Sequence, residues 1–187
     1  MIASAEAKYG APREISLQFE ISESELALVR GSRKHERSHD ITLFIFDDQR
    51  IALIRKPTFP PGAYRAPSGG LEPGEPLERG ARREAREETG LEIKLERYLL
   101  RVRANFTFGL ETEPWTTHVF KARVVSGSLA PVDVSEIEAA KWGTIAELQG
   151  PIRDVLVCSG TGLLAYRVAL TDATVEVLSE LEEKNAD

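Results

Sequence analysis

Between Gly69 and Leu91 the chain reads GGLEPGEPLERGARREAREETGL, and this stretch holds the residues best equipped for chemistry. On a helix, Glu84, Glu87 and Glu88 stand at i, i+3 and i+4, so all three carboxylates share one face. At about 100° per residue they fall close to the apolar stripe of Leu77, Ala81 and Ala85. Glu78, Arg82 and Arg86 lie well round the helix, where an ordinary solvated salt-bridge face is expected. Three carboxylates bordering a buried face repel one another, and desolvation adds to the cost. Arg83 is one turn from Glu87, but one guanidinium does not neutralise three anions. Hard oxygen donors at this spacing suit magnesium or manganese, which share their shell between carboxylates, water and substrate phosphate. Gly69, Gly70 and Gly74 permit backbone shapes that other residues resist, and can bring a main-chain carbonyl to the same cation. By itself EAREE reads first as a surface helix laced by Arg–Glu pairs. The glycine-rich lead-in moves the balance toward a cation site.

The elements that must position these groups are legible from pattern. Residues 57–74, rich in proline and glycine, form a structured loop. A helix follows over 76–89, with Pro76 in its first turn and Gly90 as its left-handed terminator. Ahead of the loop, Ile15, Leu17, Phe19 and Ile21 alternate as a half-buried strand over 14–21. Residues 41–46 and 51–54 read as a hairpin turning at 47–50. Strands are expected over 91–103 and 115–125, a short one over 139–142, and helices over 144–148 and 171–183. Residues 1–13 are expected to be a loose tail and the basic run 30–40 a solvated turn. Variable loops are placed at 104–114 and 148–162. The economical reading is one domain over 14–187 with an N-terminal strand extension.

Composition bounds the function. The 187 residues suffice for one sizeable core, and the net charge of -6 argues against a long nucleic-acid backbone as partner. It leaves room for a small phosphorylated ligand, because bound cations invert the field locally. Neither a membrane span nor a secretory signal is read, and the single cysteine, Cys158, fits a reducing compartment, so the cytoplasm is expected.

Gly69, five residues, Glu75, seven residues, then Arg83-Glu84-Ala85-Arg86-Glu87-Glu88-Thr89-Gly90-Leu91 resembles a complete Nudix box. Tyr64, three before Pro67, and Glu136, ahead of Trp142, resemble flanking features of the same family. The resemblance implies an α/β fold of the α+β type, an α/β/α sandwich around a mixed β-sheet. It also implies a metal-dependent hydrolase that cleaves the phosphoanhydride of a nucleoside diphosphate linked to another moiety. Glu84, Glu87 and Glu88 would be metal ligands with the Gly69 carbonyl, and the metal magnesium or manganese. Arg83 and Glu75 would pair and orient the ligand helix. Candidates for the general base are Glu84, Glu87, Glu136, Glu138, Glu111 and Glu113, with Glu136 favoured among those outside the box for its place just before the Trp142 strand.

Arg55, Lys56 and Arg65 flank the glycine loop as phosphate-binding candidates, and each reads as readily as a surface charge. Tyr64 is a stacking candidate, whereas Phe106 and Phe108 read as core. His35, His39 and His118 show no ligand spacing, and Cys158, in an apolar run, reads as a buried small hydrophobe. ADP-ribose and other sugar nucleotides lead as substrates, then dinucleoside polyphosphates and nucleoside triphosphates. A nucleotide-sensing domain that no longer cleaves would be expected to lose box carboxylates, and an isoprenoid diphosphate isomerase would want a cysteine near the box. Neither pattern is present. The N-terminal strand offers a surface for a homodimer.

Overall fold

The computed structural model describes residues 1–33 and 39–186, the side chains of 185 and 186 apart. Strand β2 (His39–Asp47) explains the layering. Its Ile41, Leu43 and Ile45 enter one apolar cluster while Phe44 and Phe46 enter another, as a period-two strand buried on both faces requires. It pairs antiparallel with β3 (Arg50–Arg55) and with short β4 (Ser68–Gly70), and parallel with β6 (Glu111–Gly127). The long β5 (Leu91–Phe108) forms a hairpin with β6 and takes β1 (Arg13–Glu20) as a parallel neighbour, Arg13 opposite Leu100. β7 (Ala139–Gly143) closes the far side against β3. The path is β1-β5-β6-β2-β3-β7, with β4 attached to β2.

Helices α1 (Ile2–Tyr9) and α3 (Leu77–Thr89) cover one face, Ala5, Leu77, Ala81 and Ala85 joining Leu43 and Phe120. On the other lie α2 (Glu23–Ser32), α4 (Ile145–Gln149), α5 (Pro151–Cys158) and α6 (Gly162–Ala186). They bring Val29, Leu148, Ile152 and Leu164 against Phe44 and Val102. This is an α/β/α sandwich around a mixed sheet. No helix among the described residues is long and apolar enough to cross a membrane.

Several expectations need correction. Residues 2–9 are not a loose tail: they form α1, with Ala5 buried and Tyr9 edge-on to Phe120 at 6.0 Å. So short a helix draws its stability from docking, which no local pattern reveals. Arg30–Ser32 end α2, Arg33 caps it and His39–Asp40 begin β2; 34–38 of the expected turn, with His35, lie outside the described residues. Residues 104–114 are mostly strand, because the β5–β6 register runs on to Phe108 opposite Glu111. Phe106 is buried there, but Phe108, beside the turn, is 39% exposed. The loop expected over 148–162 contains α5, and α6 starts at Gly162 and not near 171. In α5 the buried stripe is Ile152 and Leu156, four apart, which turns Cys158 outward.

One polar cluster crosses the sheet. His118 is fully buried, its Nε2 3.0 Å from Nδ1 of His39 and its Nδ1 against the Tyr98 hydroxyl. Burial, then the neighbouring His39, pushes the His118 imidazole down to about 3, so it is neutral.

Candidate active site

The glycine loop and α3 are locked together before any ligand is considered. β4 pairs with the start of β2, Gly69 opposite Ile41, and this seats Gly69 on α3. A Cβ built on Gly69 would fall inside the Glu84 carboxylate, so only glycine permits this approach. α3 ends at Gly90, whose φ of 71° is left-handed and whose missing side chain leaves room for the Ala130 carbonyl. The following loop is stapled to the helix end: Val132 and Asp133 N–H groups both donate to the Glu87 carbonyl at 3.0 Å.

The three box glutamates have different surroundings. Glu84 is 7% exposed, and burial pushes its carboxyl up to about 7 against the pull of Arg83. Glu88 is 3% exposed and also raised by burial, opposed by Arg65, Lys56 and the Ser68 N–H that donates to it at 2.6 Å. Glu87 is the outward member, its side chain 49% exposed. Arg83 stands among them. It donates to Glu75 and to the Gly70 carbonyl at 2.8 Å, to Glu84 at 2.6 Å and to Glu87 at 3.1 Å. The hydrogen bond to Glu75 above all holds the guanidinium above its ordinary value.

Among the described residues, no three Asp, Glu, His or Cys side chains are gathered as a ready cation cage, and Arg83 bridges Glu84 and Glu87. The donor chemistry nevertheless fits a hard divalent cation. Glu84 and Glu88 are oxygen donors whose burial penalises their charge, and Gly69 leaves the Glu84 carboxylate the room a side chain would fill.

Among the other candidates, Glu136 faces the same region. Its backbone N–H is held by Asp133 at 3.1 Å, its carboxylate pairs with Lys56, and its charge raises Glu88. Glu138 pairs with Arg55 at 2.8 Å, while Glu111 and Glu113 are engaged by Arg30, and Glu113 also by Arg33. Arg65 is 4% exposed, donates to Ser68 Oγ at 2.7 Å and lies 3.6 Å from Glu88; burial lowers its guanidinium to about 10. Tyr64 lies under Lys141, whose Nζ is 4.9 Å from the ring centre.

Beside the box opens a cavity of about 270 Å³, lined among others by Asp40, Lys56, Phe59, Arg65, Trp115 and Arg167. Neither Arg55 nor Tyr64 lines it. Sequence reasoning missed Asp40, Trp115 and Arg167. The usable signal was Asp40, an acid opening an apolar strand.

Residues 36–156, well over half of the chain, match the family model of the NUDIX domain. The NAD-capped RNA hydrolase NudC of Vibrio atlanticus is 33% identical over 113 residues, 58% of this chain and 38% of that protein. The NAD-capped RNA hydrolase NUDT12 of Macaca fascicularis is 32% identical over 105 residues, 52% of this chain and 20% of that protein. The chain thus spans well under half the length of these curated relatives. Among solved structures, a NUDIX hydrolase from Nitrosomonas europaea shares the fold at a TM-score of 0.51 with 24% identity, over 71% of this chain and 86% of that one. With the box loop, its carboxylate helix and the sandwich that holds them all in place, the chain belongs to the Nudix hydrolase family.

Proposed function

We propose that this chain hydrolyses a phosphoanhydride bond in a nucleoside diphosphate linked to a second moiety, with the help of magnesium or manganese. The observation that carries the reading is the buried pair Glu84 and Glu88, two carboxylates offset by one guanidinium each, beside a cavity edged with cations. A protein does not keep such a pair for stability alone, because burying incompletely compensated charge costs free energy.

Glu84, Glu87 and Glu88, with the Gly69 carbonyl, would hold the metal, which when bound lowers the pKa of the attacking water and polarises the phosphoryl oxygens. Arg83, fixed by Glu75 and the Gly70 carbonyl, keeps the ligand helix and the loop in register. Lys56 and Arg65 supply positive charge for the phosphates. Glu136, held on its turn by Asp133, takes the proton of the attacking water. Water adds to one phosphorus, the bridging P–O bond breaks, and two phosphate monoesters leave.

ADP-ribose and other sugar nucleotides are the first substrates to test. The names of the curated relatives add NAD-capped RNA. The experiment incubates the protein with each compound, with nucleoside triphosphates and with dinucleoside polyphosphates, in magnesium, manganese or a chelator, and separates the products by chromatography. Metal-dependent cleavage is expected, with Glu87→Gln and Glu88→Gln losing at least ~100-fold in turnover, as lost electrostatic groups do. Glu136→Gln is expected to lose turnover while keeping substrate affinity; an unchanged rate removes Glu136 as the base. Tight binding of one compound without cleavage of any would make the chain a nucleotide sensor.

A further inference from the structure

We propose that the cavity beside the box seats the base-bearing half of the substrate, and that α2 and α6 decide which base it accepts. This rests on the hydrolase reading above for the identity of the substrate, and on separate observations for the place.

The first observation is position. Arg65 lines the cavity and lies 3.6 Å from Glu88, so a ligand here touches the residue that adjoins the box. Size is the second. At about 270 Å³ the space falls just under the roughly 300 Å³ where pockets enclosing a whole drug-sized ligand begin. It suits half of a two-part substrate, with the phosphates left at the box.

Chemistry narrows the occupant further. Phe59, Phe106 and Trp115 give the cavity aromatic walls suited to a flat ring. Asp40 and Arg167 form an ion pair with 3.6 Å between Oδ2 and Nη2, which sets an acceptor beside a donor in the cavity wall. Asp40 Oδ1 already accepts the Thr117 hydroxyl, and Arg167 reaches Thr42 Oγ1 at 3.3 Å. The lone pairs and N–H groups that this ion pair does not use suit a ring edge that both donates and accepts, as nucleobases do. Among the described residues, Arg65 Nε is buried without a hydrogen-bond partner, an unmet donor on a residue that lines the cavity.

The origin of the walls carries the second half of the proposal. Val29 and Ser32 come from α2, Leu164 and Arg167 from α6, and all four lie outside the 36–156 family match. One side chain links the two walls. Glu25 caps its own helix through Ser22 and accepts the Leu163 N–H at 2.9 Å, tying the start of α6 to that of α2.

The test uses the full chain carrying Trp142→Phe, which leaves Trp115 as the sole tryptophan of the two. Its emission is followed while AMP, GMP, CMP and UMP are titrated without metal. A saturable change is expected, with at least a tenfold preference for one nucleotide. Ser32→Phe at the exposed rim and Arg167→Met should each weaken it at least tenfold, with unchanged circular dichroism spectra. In turnover assays both should raise KM with little change in kcat. Emission unmoved by all four nucleotides, or moved alike in the Ser32→Phe and Arg167→Met proteins, overturns the assignment. Binding that survives in a chain cleaving nothing would instead overturn the hydrolase reading and leave the cavity a nucleotide site.

Discussion

Gly69 and Glu84 meet so closely that the smallest change at one tests the other. An alanine methyl at position 69 would fall on the end of the Glu84 side chain and not on backbone, and φ at 69 is not left-handed. The carboxylate can swing away, so the stability cost of Gly69→Ala is expected to stay near ~1 kcal/mol, the low end for overpacking. The swing removes Glu84 from its place, and misplacement by an ångström at a reacting centre costs on the order of 100-fold. A melting curve beside a turnover assay checks this: a large loss of stability with intact turnover would contradict it. The box was legible because its residues are local in sequence, so spacing alone reports geometry. Asp40, Trp115 and Arg167 were not, because strand pairing and helix docking bring them together from three distant segments.

Elements were readable in proportion to how much of their stability is local. β2, β3 and α3 carry their own periodicity and stop signals, and the structure places them within a few residues of expectation. α1 and α5 are held chiefly by the faces they dock on, and α2, which the structure caps with Ser22 and Glu25, was not anticipated. That same Glu25 makes a prediction at this scale. It satisfies Ser22 N–H and Leu163 N–H, both at 2.9 Å, and its charge lies at the positive end of the 25-residue α6. Glu25→Ala is expected to cost about 1–2 kcal/mol, the size of a lost helix cap, and to loosen the α2–α6 spacing. Urea titration measures the first, and faster hydrogen exchange at Leu163 and its neighbours the second.

For the molecule as a whole, His118 sets an acid limit on stability. Its folded value near 3 lies below the unfolded 6.5, so between these values the unfolded chain binds a proton that the folded chain refuses. The stabilisation is present above pH 6.5 and is lost as pH falls toward 3, by at most about 4–5 kcal/mol. His39, lowered by its own burial, adds in the same direction. Between pH 7 and 5 the carboxyl of Glu84, raised to about 7, works with the opposite sign, so the test is the difference. Relative to the parent chain, His118→Gln should gain stability on acidification, and an identical pH slope in the variant would remove His118 as a cause. The β1–β5 pair has a consequence of another kind. Arg13 is opposite Leu100, so on a ribosome adding about 5–20 residues per second β1 waits on the order of ten seconds for its partner. During that wait it is an open edge with Ile15, Leu17 and Phe19 on one side. The alternating Glu14, Ser16, Gln18 and Glu20 keep the other side wetted, which suits a strand that must remain soluble on a nascent chain until its neighbour is made.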